Sequence, residues 1–325
     1  MKNVKSIKRY IQFLFLLSLL FCITFQVNAQ NVSADTLENY NENLTNGKKK
    51  VSLVQKLTDR VDRFFSNEHI EEELQTSRIR IKPGIQWSEK GQLNYPIPIR
   101  LNLVLPRLQN RWQVFLSSIP DNDDDQEPDL NDYTNDQPVL DDDRKSSSLL
   151  GIQFAPVTEL EQHLKFITGL KIRIDEINAF ALSRFRYSYN VGQWNLRLVQ
   201  TAFFFADNGF GEKTQFESGR PLGEDTIFRT RSSATWSEQS KGVDLKQVFF
   251  LRHFTTRNNV LGVYWRIGGQ TRPRTVINGH TFALEFRSKL WGEWLFLEIS
   301  PQALFQRREN YRFEPLLLTS IEIIL

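Results

Sequence analysis

From Ser77 to the last residue, apolar and polar side chains alternate with a period of two, in one short run after another. Ile79 and Ile81 alternate with Arg78, Arg80 and Lys82, and Ile99, Leu101 and Leu103 alternate with Arg100 and Asn102. Phe166, Leu170 and Ile172 alternate with Lys165, Lys171 and Arg173. Phe185, Tyr187 and Tyr189 alternate with Arg184, Arg186 and Ser188. The pattern continues through Leu261–Ile267, Phe282–Arg287 and Leu317–Leu325. Successive side chains of a strand leave on opposite faces. The chain is therefore all-β, an antiparallel sheet with one apolar face and one charged face.

The first 29 residues stand apart. Lys2, Lys5, Lys8 and Arg9 precede a mostly apolar run from Ile11 to Phe25, and Val27-Asn28-Ala29 follows. This is the build of a secretory signal peptide, with cleavage expected after Ala29. Cys22 follows Phe21, where lipid attachment needs a small residue, so it is expected to leave with the signal. The mature chain then has no cysteine, which excludes disulfides, thiolate zinc sites and cysteine nucleophiles. Residues 1–29 hold four of the 41 Lys and Arg and none of the 38 Asp and Glu, which leaves the remainder at −1. That balance gives no basis for a nucleic-acid partner. After residue 29 no apolar run reaches the length of a membrane helix. An exported membrane protein of this kind must close into a barrel, because hydrocarbon tolerates no unpaired backbone.

Fourteen strands are predicted, beginning near 77, 94, 111, 147, 163, 178, 193, 213, 226, 242, 259, 279, 293 and 313. Twelve is the alternative if the pair flanking the acidic stretch does not form. Asn190-Val191-Gly192, Asp207-Asn208-Gly209, Pro221-Leu222-Gly223-Glu224 and Asn258-Asn259 supply turns. An even count puts both barrel ends in the periplasm. Residues 30–76 read as a polar, disordered segment followed by an amphipathic periplasmic helix over about 51–65. Trp112, Trp194, Trp291 and Trp294 fall beside predicted periplasmic turns, and Trp87 and Trp236 near outer ends, as an aromatic girdle requires.

On these alternating runs, residues 77–325 resemble a Gram-negative outer-membrane β-barrel of small-porin size. The resemblance implies an outer-membrane location, with contacts to lipid and lipopolysaccharide. It also implies recognition of the C-terminal strand by the barrel-assembly machinery. Ile321-Glu322-Ile323-Ile324-Leu325 matches the usual ending in alternation and departs from it in having Leu325 where an aromatic is usual. The resemblance carries no catalytic or ligand-binding residue.

If the apolar phase faces lipid, the charged phase lines the lumen, since a charge at mid-membrane costs about 2–4 kcal/mol on the lipid face. Arg78, Arg80, Arg100, Lys171, Arg173, Arg184, Arg186 and Arg197 then point inward. Arg229, Arg231, Arg266, Glu285, Arg287, Glu298 and Glu322 join them on later strands. Two readings stand: a passive pore that attracts small anions, and a closed barrel stiffened by Arg–Glu pairs. The second leaves a structural or interaction role, with helix 51–65 as the site for a periplasmic partner. The stretch 120–146 carries eleven aspartates and glutamates and reads as an extracellular loop. Asp123, Asp124 and Asp125 are its candidate ligands for a divalent cation, although its spacing is not that of an EF-hand. A lipid-modifying enzyme is the remaining alternative. It would need His-x-Ser, and His253-Phe254-Thr255 is the nearest sequence. No phosphate-cradling loop or dinucleotide fingerprint occurs, so no cofactor is implied.

Overall fold

In the computed structural model the described residues are 77–325, apart from 90, 92, 106–110, 121–145, 159–160, 174 and 241. The signal peptide, the segment 30–76 with its helix, and the candidate cation ligands Asp123, Asp124 and Asp125 lie outside the described residues.

Fourteen antiparallel strands form one closed sheet. The first two are each in two pieces: β1 is Arg78–Ile81 and Gly84–Ser88, and β2 is Leu93–Asn94 and Ile99–Val104. Proline explains the breaks, because Pro83, Pro96 and Pro98 have no N–H to give the ladder. Their carbonyls still accept, from Ile321 at 3.0 Å, Gly84 at 2.9 Å and Lys82 at 3.0 Å respectively, so the sheet runs through. Then come β3 (Trp112–Pro120), β4 (Ser146–Thr158), β5 (Gln162–Ile172) and β6 (Ile177–Val191). β7 (Trp194–Phe205), β8 (Gly209–Pro221), β9 (Thr226–Ser237) and β10 (Val243–Phe254) follow. β11 (Asn259–Gln270), β12 (Val276–Trp291), β13 (Leu295–Gln306) and β14 (Phe313–Ile324) complete the series.

Each strand pairs with the next, and β14 returns to β1, with Arg80 opposite Ile324 and Ser88 opposite Leu316. Ile79 and Leu325 exchange two backbone hydrogen bonds of 2.8 Å at the closing line. β3 and β4, which flank the acidic stretch, pair from Trp112–Phe154 to Pro120–Ser146, so the count is fourteen and not twelve.

Twelve predicted starts fall within two residues of the observed ones. The other two are late. β8 begins at Gly209 rather than near 213, and β12 at Val276 rather than near 279. In both, glycines that read as turn punctuation belong to the strand. Gly211 pairs with Phe203, and Gly279 pairs with Gly268 and Gln306. The expected turns are present. Gly192 occupies the two-residue turn between Val191 and Trp194 with φ 58°, a conformation that suits glycine.

The outer face is apolar and exposed: Ile85, Ile152, Phe166, Phe185, Leu198, Phe216, Leu251, Val263, Leu284 and Ile321 all lie on it. A water-soluble protein does not display such a surface, whereas a membrane barrel requires it. Trp112, Trp291 and Trp294 are exposed at the end of the barrel that holds Arg78 and Ile324, here called the terminal end, and Trp194 is half-buried there. Trp87 and Trp236 are exposed toward the distal end. Trp265 sits mid-strand, stacked between Phe249 (5.5 Å) and Phe282 (5.4 Å). The polar outer-face groups pair with one another: Thr214 donates to Gln200 at 2.6 Å, and Gln247 bonds both Ser232 and Thr230. Such pairing lowers the cost of amides and hydroxyls in an apolar medium.

Candidate functional site: the charged interior

The buried face of a closed single sheet is its interior. Of the expected interior residues, Arg80, Lys171, Arg184, Arg186, Arg197, Arg229, Glu285, Arg287, Glu298 and Glu322 are buried. Arg78, Arg100, Arg231 and Arg266 are half-buried on the same strand phase. Arg173 lies just past β5, in the distal turn, where it pairs with Glu176 and with Asp207 (3.4 Å). Asp207 also takes Lys171 at 3.4 Å, so these two bases mark the rim and not the middle of the wall.

Arg287 on β12 is the hub of a buried ion cluster near the terminal end. It meets Glu298 of β13 at 2.9 Å and also contacts Glu322 of β14. Glu322 reaches Arg80 of β1 at 3.0 Å, and Glu298 reaches Lys82, in the break between the two pieces of β1, at 2.9 Å. The guanidinium of Arg287 lies 4.4 Å from the Phe296 ring centre. Two carboxylates thus join three bases across three strand pairs, including the closing one. Beside them, Arg252 of β10 pairs with Glu285 of β12 at 3.2 Å. Gly262 stands between these two in register, and a Cβ there would lie 2.9 Å from the Glu285 carboxylate.

The opposite wall is built differently. β1 through β7 contain no Asp or Glu at any described strand position. Carboxylates enter the sheet only from β8 onward. On β5 and β6, Lys165 faces Arg184 and His163 faces Arg186. Arg197 of β7 faces Glu217 of β8, which also takes Arg231 at 2.6 Å. Distal to these bases is a buried apolar cluster of Phe115, Leu149, Ile167, Phe180, Leu182, Phe203 and Phe205. It forms because Gly151 and Gly169 stand in register between Phe115 and Phe180, leaving room for the rings. A Cβ on Gly151 would lie 2.8 Å from the Phe115 ring, and one on Gly211 would lie 2.2 Å from Phe203.

Interior bases also lie against aromatic rings: Arg252 is 5.2 Å and Arg231 5.8 Å from the Phe250 centre, and Arg266 is 5.7 Å from that of Tyr264. Sequence reasoning left Lys82, His163, Lys165, Glu217 and Arg252 off the interior set. Strand parity could have found them, since each shares the phase of a neighbouring interior base.

The residues nearest to a hydrolase pair do not come together as one. His253 Nδ1 lies 2.9 Å from Thr226 Oγ1 on the exposed side of β10, while the Thr255 hydroxyl donates to the Asn259 carbonyl at 3.3 Å. His280 lies between Trp265, on which it stacks, and the tilted ring of Tyr311, 6.4 Å from each.

No family model and no curated protein sequence matches the chain. Solved structures do. The CymD monoaromatic hydrocarbon channel matches at TM-score 0.48 and 8% identity, over 81% of this chain and 92% of that one. An anion-selective porin from Comamonas acidovorans matches at TM-score 0.47 and 8% identity, over 77% and 99%. The NanC porin matches at TM-score 0.40 and 8% identity, over 75% and 98%. Closed on itself, apolar without and charged within, the chain is a fourteen-stranded outer-membrane β-barrel.

Proposed function

We propose that the barrel is a passive pore that favours small anions. The observation that carries this reading is the imbalance of the interior. Among the described residues nine Lys or Arg are buried against four Glu. A concave wall with excess positive charge concentrates anions and repels cations. The test is conductance of the purified barrel in a planar bilayer, with reversal potential measured across a salt gradient. A steady current with anion preference is expected. A correctly folded, heat-modifiable barrel that passes no current would overturn the reading.

A second reading, a filled barrel with a structural or interaction role, is favoured by the burial of those same side chains and by the Arg287 cluster. Satisfied buried ion pairs fix one arrangement of a core. This reading expects no current, and expects that deleting residues 51–65 leaves the barrel folded but abolishes co-purification of a periplasmic partner.

A further inference from the structure

We infer that the distal rim over β11–β14 is a docking site for the phosphate-bearing headgroup of a membrane lipid, held by Arg272, Arg274, Arg307 and Arg312. The site faces lipid and not the lumen, so it stands whether or not the barrel conducts.

Two neighbouring turns supply the charge. Residues 271–275 join β11 to β12, and residues 307–312 join β13 to β14. Together they carry five arginines and one carboxylate, Glu309. Arg272, Arg274 and Arg312 are exposed, and Arg307 is half-buried. These four make no ion pair among the described residues. The terminal end does not repeat the pattern. Its turns 222–225, 255–258 and 292–294 carry Glu224, Asp225 and Glu293 against Arg257.

Hydrogen bonds fix both distal turns. Gln270 donates to the Arg272 carbonyl at 2.8 Å and accepts from Asn278 at 3.1 Å. In the second turn Asn310 and Tyr311 hold left-handed φ values of 55° and 56°, which an aromatic residue rarely adopts. The Tyr311 amide donates to the Gln306 carbonyl, and its hydroxyl donates to the Ile277 carbonyl, both at 2.7 Å. That last bond ties the second turn to the start of β12, which the first turn enters. Both sets of arginines therefore sit on one frame.

Beneath them the outer face carries a row of rings. Phe249, Trp265, Phe282, Phe305 and Phe313 follow one another across β10 to β14, with neighbouring centres 5.4–6.2 Å apart. The row starts mid-strand at Phe249 and reaches the rim at Phe313, which is 57% exposed. Charge above and apolar rings below select a ligand built the same way. A free phosphate would engage the arginines and leave the rings unused, and an acyl chain alone would do the reverse. A phosphate-bearing lipid engages both. Guanidinium forks match the oxygens of a phosphate, and aromatic rings pack on the chains at and below the headgroup level.

The test uses the purified full chain in detergent. Native mass spectrometry gives the Kd of the first lipid bound, for dioleoyl phosphatidic acid and for dioleoyl phosphatidylcholine. Phosphatidic acid should bind at least about tenfold more tightly, since one base near a membrane surface is worth about fivefold for an anionic lipid. Arg272→Gln/Arg274→Gln/Arg307→Gln/Arg312→Gln should bring the two lipids within about twofold. Arg257→Gln, in a terminal turn, should leave the preference as it is. Equal binding of the two lipids by wild type overturns the site. So does a preference that survives the fourfold variant, or one that Arg257→Gln abolishes. Should the fourfold variant fail to fold, Arg272→Gln/Arg274→Gln should cut the preference at least about threefold, and an undiminished preference there overturns the site. Soluble glycerol phosphate that displaces the lipid at equal concentration would give the arginines to a free phosphate and overturn the lipid assignment.

Discussion

Arg80 and Glu322 meet at 3.0 Å across the line where the first strand joins the last. Both are buried, and Glu322 is shared with Arg287, which in turn holds Glu298. Removing the hub would leave two carboxylates with only the β1 bases to balance them. Arg287→Met is expected to cost about 3–5 kcal/mol, read from urea unfolding of the lipid-embedded barrel. Combining it with Glu298→Gln and Glu322→Gln should recover most of that loss, because the desolvated charges go together. A single variant within about 1 kcal/mol of wild type would show that the cluster holds nothing in place.

Gly211 and Phe203 form a paired site in which the ring lies over the glycine. Gly211→Val puts side-chain atoms where the ring is, at an expected cost of about 1–3 kcal/mol. Phe203→Ala in the same chain should return part of it, a coupling that a double-mutant cycle detects. Strict additivity of the two changes would contradict the packing described.

Leu284 is exposed on the outer face, one residue from the interior Glu285. Leu284→Arg should destabilise the barrel by about 2–4 kcal/mol in a lipid bilayer. The same change should cost much less in a short-chain detergent that lets the guanidinium reach water. Equal effects in both media would place Leu284 away from the hydrocarbon.

Trp265 lies mid-strand and Trp291 at a strand end, both on the outer face. Lipids brominated deep in the acyl chain should quench Trp265, so Trp265→Phe removes most of that quenching. Trp291→Phe should instead reduce quenching by lipids brominated next to the headgroup. The opposite assignment would show that the membrane sits elsewhere on the barrel.

The barrel was readable from sequence because each strand presents one face to lipid and the other to charge. That parity alone places Phe185 outside and Arg184 and Arg186 inside. It failed at Gly211 and Gly279, since a glycine that seats an aromatic ring or pairs in a bulged ladder looks the same in sequence as one that ends a strand. Partner choice was not readable. Nothing local says that Arg287 joins Glu298 and Glu322 while Lys165 faces Arg184, because cross-strand partners depend on register and on closure. One signal was available and missed: the strands from Arg78 to Phe205 contain no carboxylate, which already separates a basic half of the wall from a mixed half.

The side chains that close the cylinder come from opposite ends of the strand series: Arg80 from β1 and Glu322 from β14. Contacts so distant in sequence carry a large loop-closure entropy. A slip of one residue at that joint would turn Glu322 toward lipid and Ile321 or Ile323 toward the bases. The cluster therefore has its charges matched in one register of the closing strands only.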